Sequence, residues 1–288
     1  MTRLAVKIAY IGEGLSGSQM QPGLDTVESE VLRDISIVTG QDRGGCGLRF
    51  SSRTDKGVGA LGNVVAVTTD MEPQTYLKAL NAVSERVFYR SWCEVDEGFN
   101  PRHANRRVYR YIMPSTNLDL NLARECADVF TGTHDFASFC RYDGKDTVLT
   151  VDSIKVDEQD GALVLEFTAR YFLWNMIRRI SSAVQRVASG REELDTVVSS
   201  LDGNGNKTFG IAPAEGLTLV DVQYDALRFD ASGSEGYATR LSDQRFSSEL
   251  RRRFLDDLRS SRRLHIVINN KCRLNPQPKG DTYGRNTL

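Results

Sequence analysis

Two apolar periods, interleaved without regular alternation, set the tightest limit on how this chain can fold. Leu4, Val6, Ile8 and Tyr10 recur every second residue, the period of a half-buried strand. Val27, Val31, Ile35 and Val38 recur at helical spacing, with Asp25 or Thr26 as the N-cap and Gly40 as the stop. Asn63–Thr69, Arg86–Val95 and Val108–Met113 read as further strands, and Pro73 opens a helix carrying Leu77 and Leu80. Leu122, Cys126 and Val129 suggest another helix. Val151–Val156 and Ala162–Ala169 pair as a hairpin around Gln159-Asp160-Gly161. Ile177, Ile180, Val184 and Val187 form the stripe of a long helix ended by Gly190, Leu194 to Leu201 the next helix, and Leu217 to Tyr224 a closing strand. Strict βαβ alternation is missing, so the expected class is α+β with antiparallel sheets.

A chain of 288 residues is long enough for two compact domains. The expected boundary lies near Asn100–Asn105, giving domains 1–103 and 104–227. From Arg228 the character changes to a basic, partly helical extension, 228–288. Arg245–Arg263 holds seven arginines against three acids, and Asn275 to Leu288 is polar with Pro276 and Pro278. No apolar run approaches the ~18 residues of a membrane span, and the N-terminus has no signal-peptide pattern. A cytoplasmic protein is expected. Five cysteines without a Cys-x-x-Cys pair, and only three histidines, offer no metal-ligand spacing. Net charge is −1, yet the signs are segregated. Arg102 to Arg110 carries four arginines and Arg170 to Arg191 five, both without an acid, while Asp143 to Glu166 carries seven acids against two lysines. Such a distribution is compatible with a positive cleft and an acidic far side, as expected of a nucleic-acid binder, and equally with ordinary solvated faces.

The stretch from Phe50 to Gly62 places one carboxylate, Asp55, between Arg53 and Lys56. Cations so close favour the charged carboxylate, and glycines at 57, 59 and 62 leave room for a ligand to approach the backbone. By itself the stretch also fits a surface turn with a local Arg–Asp bond. Tyr109, flanked by Arg107 and Arg110, fits either an aromatic platform beside phosphate-binding cations or a core aromatic. Arg178 lies one position off a buried helical stripe, at the edge of a cleft or snorkelling to solvent. His134 and Asp135 have no nucleophile nearby in sequence and suit helix capping or turn bonding.

Taken together, Ser52-Arg53-Thr54-Asp55-Lys56-Gly57-Val58 and Ala60-Leu61-Gly62 resemble the catalytic motif of the tRNA pseudouridine synthase A family. Further segments follow in the family's order: Tyr10-Ile-Gly with Gly17-Ser-Gln19-Met-Gln21-Pro22, then Phe99-Asn-Pro-Arg102 with Arg107-Val-Tyr109-Arg110-Tyr111. Gly132-Thr-His134-Asp135-Phe136-Ala-Ser138-Phe139, Phe172-Leu-Trp-Asn-Met-Ile177-Arg178 and Glu215-Gly216-Leu217 complete the set. The resemblance spans residues 4 to 224, and the serine before Arg53 and the lysine after Asp55 are more similar to archaeal members.

The resemblance implies a pseudouridine synthase fold, two mixed domains around a central basic cleft. It implies an isomerase that converts uridine to pseudouridine in the anticodon stem-loop of tRNA, at positions 38 to 40, without cofactor or metal. A homodimer is the usual state. Asp55 would be the nucleophile, acting at the ribose C1′, through a glycal, or at uracil C6. Tyr109 would stack on the target uracil, Arg178 would pair with Asp55, and Leu217 would form the wall beneath the base. Arg53 would hold the phosphate of the flipped nucleotide, with Lys56, Arg107 and Arg110 as further RNA contacts. Gly59 stands where members commonly have histidine, and Ser18 where they have tryptophan. Those departures touch RNA positioning and loop packing rather than Asp55, Tyr109 or Arg178.

Overall fold

In the computed structural model, residues 1–201 and 208–271 are described, with side chains as far as 256. Nine strands are joined in one sheet: β1 (Thr2–Tyr10), β2 (Arg49–Phe50), β3 (Gly59–Thr69), β4 (Val87–Val95), β5 (Arg106–Pro114), β6 (Gly132–Asp135), β7 (Val148–Gln159), β8 (Ala162–Ala169) and β9 (Leu217–Gln223). Their order is β4-β1-β3-β9-β5-β8-β7-β6, with β2 added on β3. Every pairing is antiparallel except β3 with β9, where Gly59 faces Thr218 and Ala60 faces Leu219. The α+β class therefore holds, and the two halves share one continuous sheet. A short parallel junction joins them.

Among the described residues, six α-helices accompany the sheet, α1 (Val27–Thr39), α2 (Arg43–Cys46), α3 (Pro73–Val83), α4 (Leu120–Val129), α5 (Met176–Ala188) and α6 (Leu194–Leu201), and a further one, α7 (Ala238–Lys271), follows them in the chain. In α1 the Thr26 hydroxyl accepts the Ser29 N–H, and Gly40 closes the helix at φ 72°. Helices α1 and α3 pack on each other and on β4. Helices α4 and α5 pack on each other, α4 against β7 and α5 against β5. The boundary expected at 103/104 falls in the connection between β4 and β5. Residues Met1–Gly236 form one compact unit and a second begins at Tyr237. Within that second unit α7 is tied by its own pairs, Glu249 with Arg252 and Arg253, and Arg252 with Asp256. The polar stretch from Asn275 to Leu288 lies outside the described residues. Among those described, no helix is long and apolar enough to cross a membrane.

The sequence reading missed α2, β2 and β6. Each is four residues or fewer, too short to show a period, and β6 is held by pairing with β7. His134 and Asp135 do bond turns there: the His134 ring lies 3.0 Å from the Thr131 carbonyl, and Asp135 accepts the Ala137 N–H.

The core holds several buried phenols. Tyr10, Tyr76, Tyr89, Tyr109, Tyr111 and Tyr224 are all buried. Desolvation is the main force raising each pKa above the usual phenol value, Tyr111 to about 12. A raised folded-state pKa means that the native protein keeps protons which the unfolded chain releases. Stability is thus fully present below pH ~10 and declines as pH rises beyond it, by up to about 1.4 kcal/mol per pH unit for each tyrosine. We expect cooperative alkaline unfolding above pH ~10, with phenolate absorbance appearing only as the fold is lost. Ionisation of all ten tyrosines near pH 10 without loss of the far-ultraviolet circular dichroism would contradict it.

Candidate active site

Asp55 sits in the loop between β2 and β3, at the parallel junction of the sheet. The Val58 N–H reaches the Asp55 carbonyl at 3.1 Å, closing a turn in which Gly57 has φ 85°. A side chain would be strained there, which accounts for that glycine. The next two glycines, Gly59 and Gly62 in β3, make room for the protein's own backbone. A Cβ on Gly59 would lie 3.3 Å from the Tyr10 carbonyl oxygen, and one on Gly62 2.7 Å from that of Val220.

Ahead of Asp55, the chain is clamped residue by residue. Ser51 hydrogen-bonds Asn63 through its hydroxyl, and the Asn63 amide donates to the Ser52 carbonyl and the Tyr10 hydroxyl. Tyr10 and Thr54 share a hydroxyl hydrogen bond of 2.9 Å. Thr54 donates its N–H to the Ser18 hydroxyl and accepts the Ser18 N–H. All these groups are buried, so their polar atoms hold one another at full strength. Asn63 betrays itself in sequence as a polar residue opening an apolar strand. Ser18 does so only as a departure from the family pattern.

Arg178 approaches from the first turn of α5. Its Nε donates to the Ala212 carbonyl at 2.8 Å, and its Nη1 lies 3.5 Å from Asn175 Oδ1 and 3.8 Å from Asp55 Oδ2. The last is an ion pair rather than a hydrogen bond. Asn175 holds the left-handed conformation that starts the helix, φ 63°. With the Asp55 side chain 41% exposed and that of Arg178 16%, the pair lies at a surface opening and not in the core. Among the described residues this is the ion pair Asp55 makes. Arg53 and Lys56, its expected partners by sequence, are exposed and make none.

Tyr109 alternates inward on β5 with Arg107 and Tyr111. Burial raises its pKa, with the Asp55 charge adding to the effect and the nearby Ser52 side chain opposing it. The Phe172 ring meets it edge-on at 5.4 Å. Leu217, buried, stands opposite Tyr111 at the start of β9. Just ahead of it, Ala214 and Glu215 lie against Gly57. The fold therefore brings Asp55, Arg178 and Tyr109 to one place from three distant segments.

Arg107 and Arg110 do not join them as neighbouring cations. Arg110 projects from the other face of β5 and pairs with Glu166 at 3.1 Å. Arg107 is only 8% exposed. It donates through Nε to Ser52 Oγ at 2.9 Å, through Nη2 to the Ser51 and Arg102 carbonyls, and through Nη1 to the Arg170 carbonyl. Burial pulls its guanidinium below the usual arginine value, and it has no carboxylate partner among the described residues. It lies behind the Asp55 loop, knotting three segments together. Among the described residues, no group of three His, Cys, Asp or Glu is arranged to hold a metal ion.

Residues 126–225 match the family model described as tRNA pseudouridine synthase, a stretch that includes Arg178 and Leu217. Over longer spans the chain is similar to proteins named tRNA pseudouridine synthase A. That of Pyrococcus abyssi (strain GE5 / Orsay) is 41% identical over 235 residues, covering 79% of this chain and 86% of the relative. For Pyrococcus horikoshii (strain OT-3) the values are 40% over 233 residues, 79% and 87%. For Pyrococcus furiosus they are 36% over 260 residues, 88% and 92%. The chain belongs to the tRNA pseudouridine synthase A family.

Proposed function

We propose that this protein isomerises uridine to pseudouridine in the anticodon stem-loop of tRNA, at positions 38 to 40, with Asp55 as nucleophile. The observation that carries the reading is the meeting of Asp55 and Arg178 at a partly open site beside the buried Tyr109. The reaction breaks the N1–C1′ bond and forms C5–C1′, while one proton leaves C5 and one is gained at N1. It is redox-neutral and uses no external group, so a positioned carboxylate is the minimum equipment.

Each side chain then takes a role. Arg178, fixed by the Ala212 carbonyl, orients the Asp55 carboxylate through their ion pair. Tyr109 retains its proton at neutral pH and serves the uracil as a platform and hydrogen-bond donor. Leu217 gives the base an apolar wall. The exposed Arg53 and Lys56 flank the nucleophile in reach of solvent, where backbone phosphates of a flipped nucleotide pass. Arg107 positions the loop. Residues 1–103 thus bring the nucleophile, and residues 104–227 bring its arginine and tyrosine. We also assign a homodimer, which sedimentation of the full chain tests.

The test is direct. Purified full-length protein is incubated with unmodified tRNA transcripts, and pseudouridine is mapped at nucleotide resolution. Product at positions 38 to 40 is expected. Absence of product would sink the reaction, and product confined to other positions would sink the site assignment.

A further inference from the structure

Between β8 and α5 runs the loop from Arg170 to Asn175, which supplies the candidate site from two directions. Phe172 packs on Tyr109, and Asn175 leads into α5 and touches Arg178. The residue between the buried Leu173 and Asn175 is Trp174, which faces outward and is 40% exposed. Over its ring, 4.0 Å from the centroid, lies the exposed guanidinium of Arg141. The Arg141 N–H also donates to the Trp174 carbonyl at 2.8 Å, locking the two loops together. Tyr171, on the same loop, is exposed to a similar degree. None of these three residues has a role in the reaction as assigned above.

An exposed indole held rigid beside an arginine is an unusual surface for a protein to leave in water. It suits an unstacked nucleobase, because every base presents a π-face and the guanidinium serves both the ring and a phosphate. Flipping the target uridine out of its stem leaves a neighbouring base without its stacking partner. We propose that Trp174, backed by Arg141, stacks on a nucleobase of the bound tRNA outside the reacting uridine's pocket. This rests on the chain being a tRNA pseudouridine synthase, as argued above. Trp174 is then a binding residue that sets how the stem-loop seats over Asp55.

The chain has two tryptophans, which makes the test selective. Trp92 is half-buried, with its indole N–H donated to the Ser232 carbonyl. Full-length Trp92→Phe protein reports on Trp174 alone, and Trp174→Phe protein on Trp92 alone. Titration with unmodified tRNA should quench the first and leave the second nearly unchanged. Trp174→Ala should raise KM for tRNA at least about fivefold, the lower end of what one base–aromatic stack supplies, with kcat changed much less. Trp174→Phe should restore most of the loss, which a merely structural role at an exposed position does not explain.

Tight tRNA binding with no change in Trp174 emission and an unaltered KM in Trp174→Ala would overturn the inference alone. Quenching that follows protein concentration without RNA would give the ring to a second copy of the chain and overturn it likewise. A wild type that neither binds nor modifies tRNA would overturn the functional reading itself, and that is seen before any variant is made.

Discussion

Asp55→Asn is expected to lower pseudouridine formation by on the order of four powers of ten, the scale on which loss of a nucleophile or its essential partner is felt. The amide preserves the size and most hydrogen-bonding capacity of the side chain but carries neither the negative charge nor the nucleophilic oxygen. Little else should change. The Asp55–Arg178 contact is 3.8 Å long and partly exposed, so losing it costs less than about 1 kcal/mol of stability. Arg178 remains tethered by the Ala212 carbonyl and Asn175, and the loop remains clamped through Ser18, Tyr10 and Asn63. Binding of tRNA should therefore stay within a few-fold of wild type while product disappears. Single-turnover assays with enzyme in excess, alongside equilibrium binding, separate the two. Residual activity within tenfold of wild type would remove Asp55 from the nucleophile's role.

The elements legible in the sequence were those long enough to repeat a period. Strand β1 and helices α1, α3 and α5 announce themselves by spacing and caps, and the β7–β8 hairpin by its turn. What no local pattern carries is long-range pairing. The single sheet depends on β3 meeting β9 over Gly59–Ala60, a contact between residues about 160 apart in the chain. The same holds for the site. Asp55, Tyr109 and Arg178 were singled out by resemblance to family motifs, and the fold shows how three distant segments converge. Arg53 and Lys56 were the obvious partners for Asp55 because they are adjacent, yet a turn points adjacent side chains apart and hands the contact to Arg178. Arg107 and Arg110 looked equivalent as neighbouring cations, but the two-residue pitch and the burial alternation of β5 separate their environments. One is enclosed and the other half-exposed beside Glu166.

That separation leads to the second large effect, at Arg107. If this side chain binds phosphate, as its place in the sequence suggests, Arg107→Met should weaken tRNA binding and reduce the slope of log affinity against log salt by about one. Its geometry points elsewhere. At 8% exposure, with donors directed to Ser52 Oγ and to the carbonyls of Ser51, Arg102 and Arg170, it has little left to offer a phosphate. Removing the guanidinium leaves several buried acceptors without donors, each worth about 1–3 kcal/mol, offset in part because a desolvated cation is also removed. A net loss of about 3 kcal/mol is expected, lowering Tm by roughly 6–12 °C for a unit of this size. Because the loop ahead of Asp55 loses its backing, a displacement near ~1 Å suffices to cost about a hundredfold in kcat. The affinity for tRNA and its salt slope should hold. Arg107→Lys discriminates further: an ammonium restores the charge but cannot span acceptors on three segments, so kcat should recover little. Full recovery with lysine, or a reduced salt slope with near-normal kcat in the methionine variant, would return Arg107 to the RNA surface.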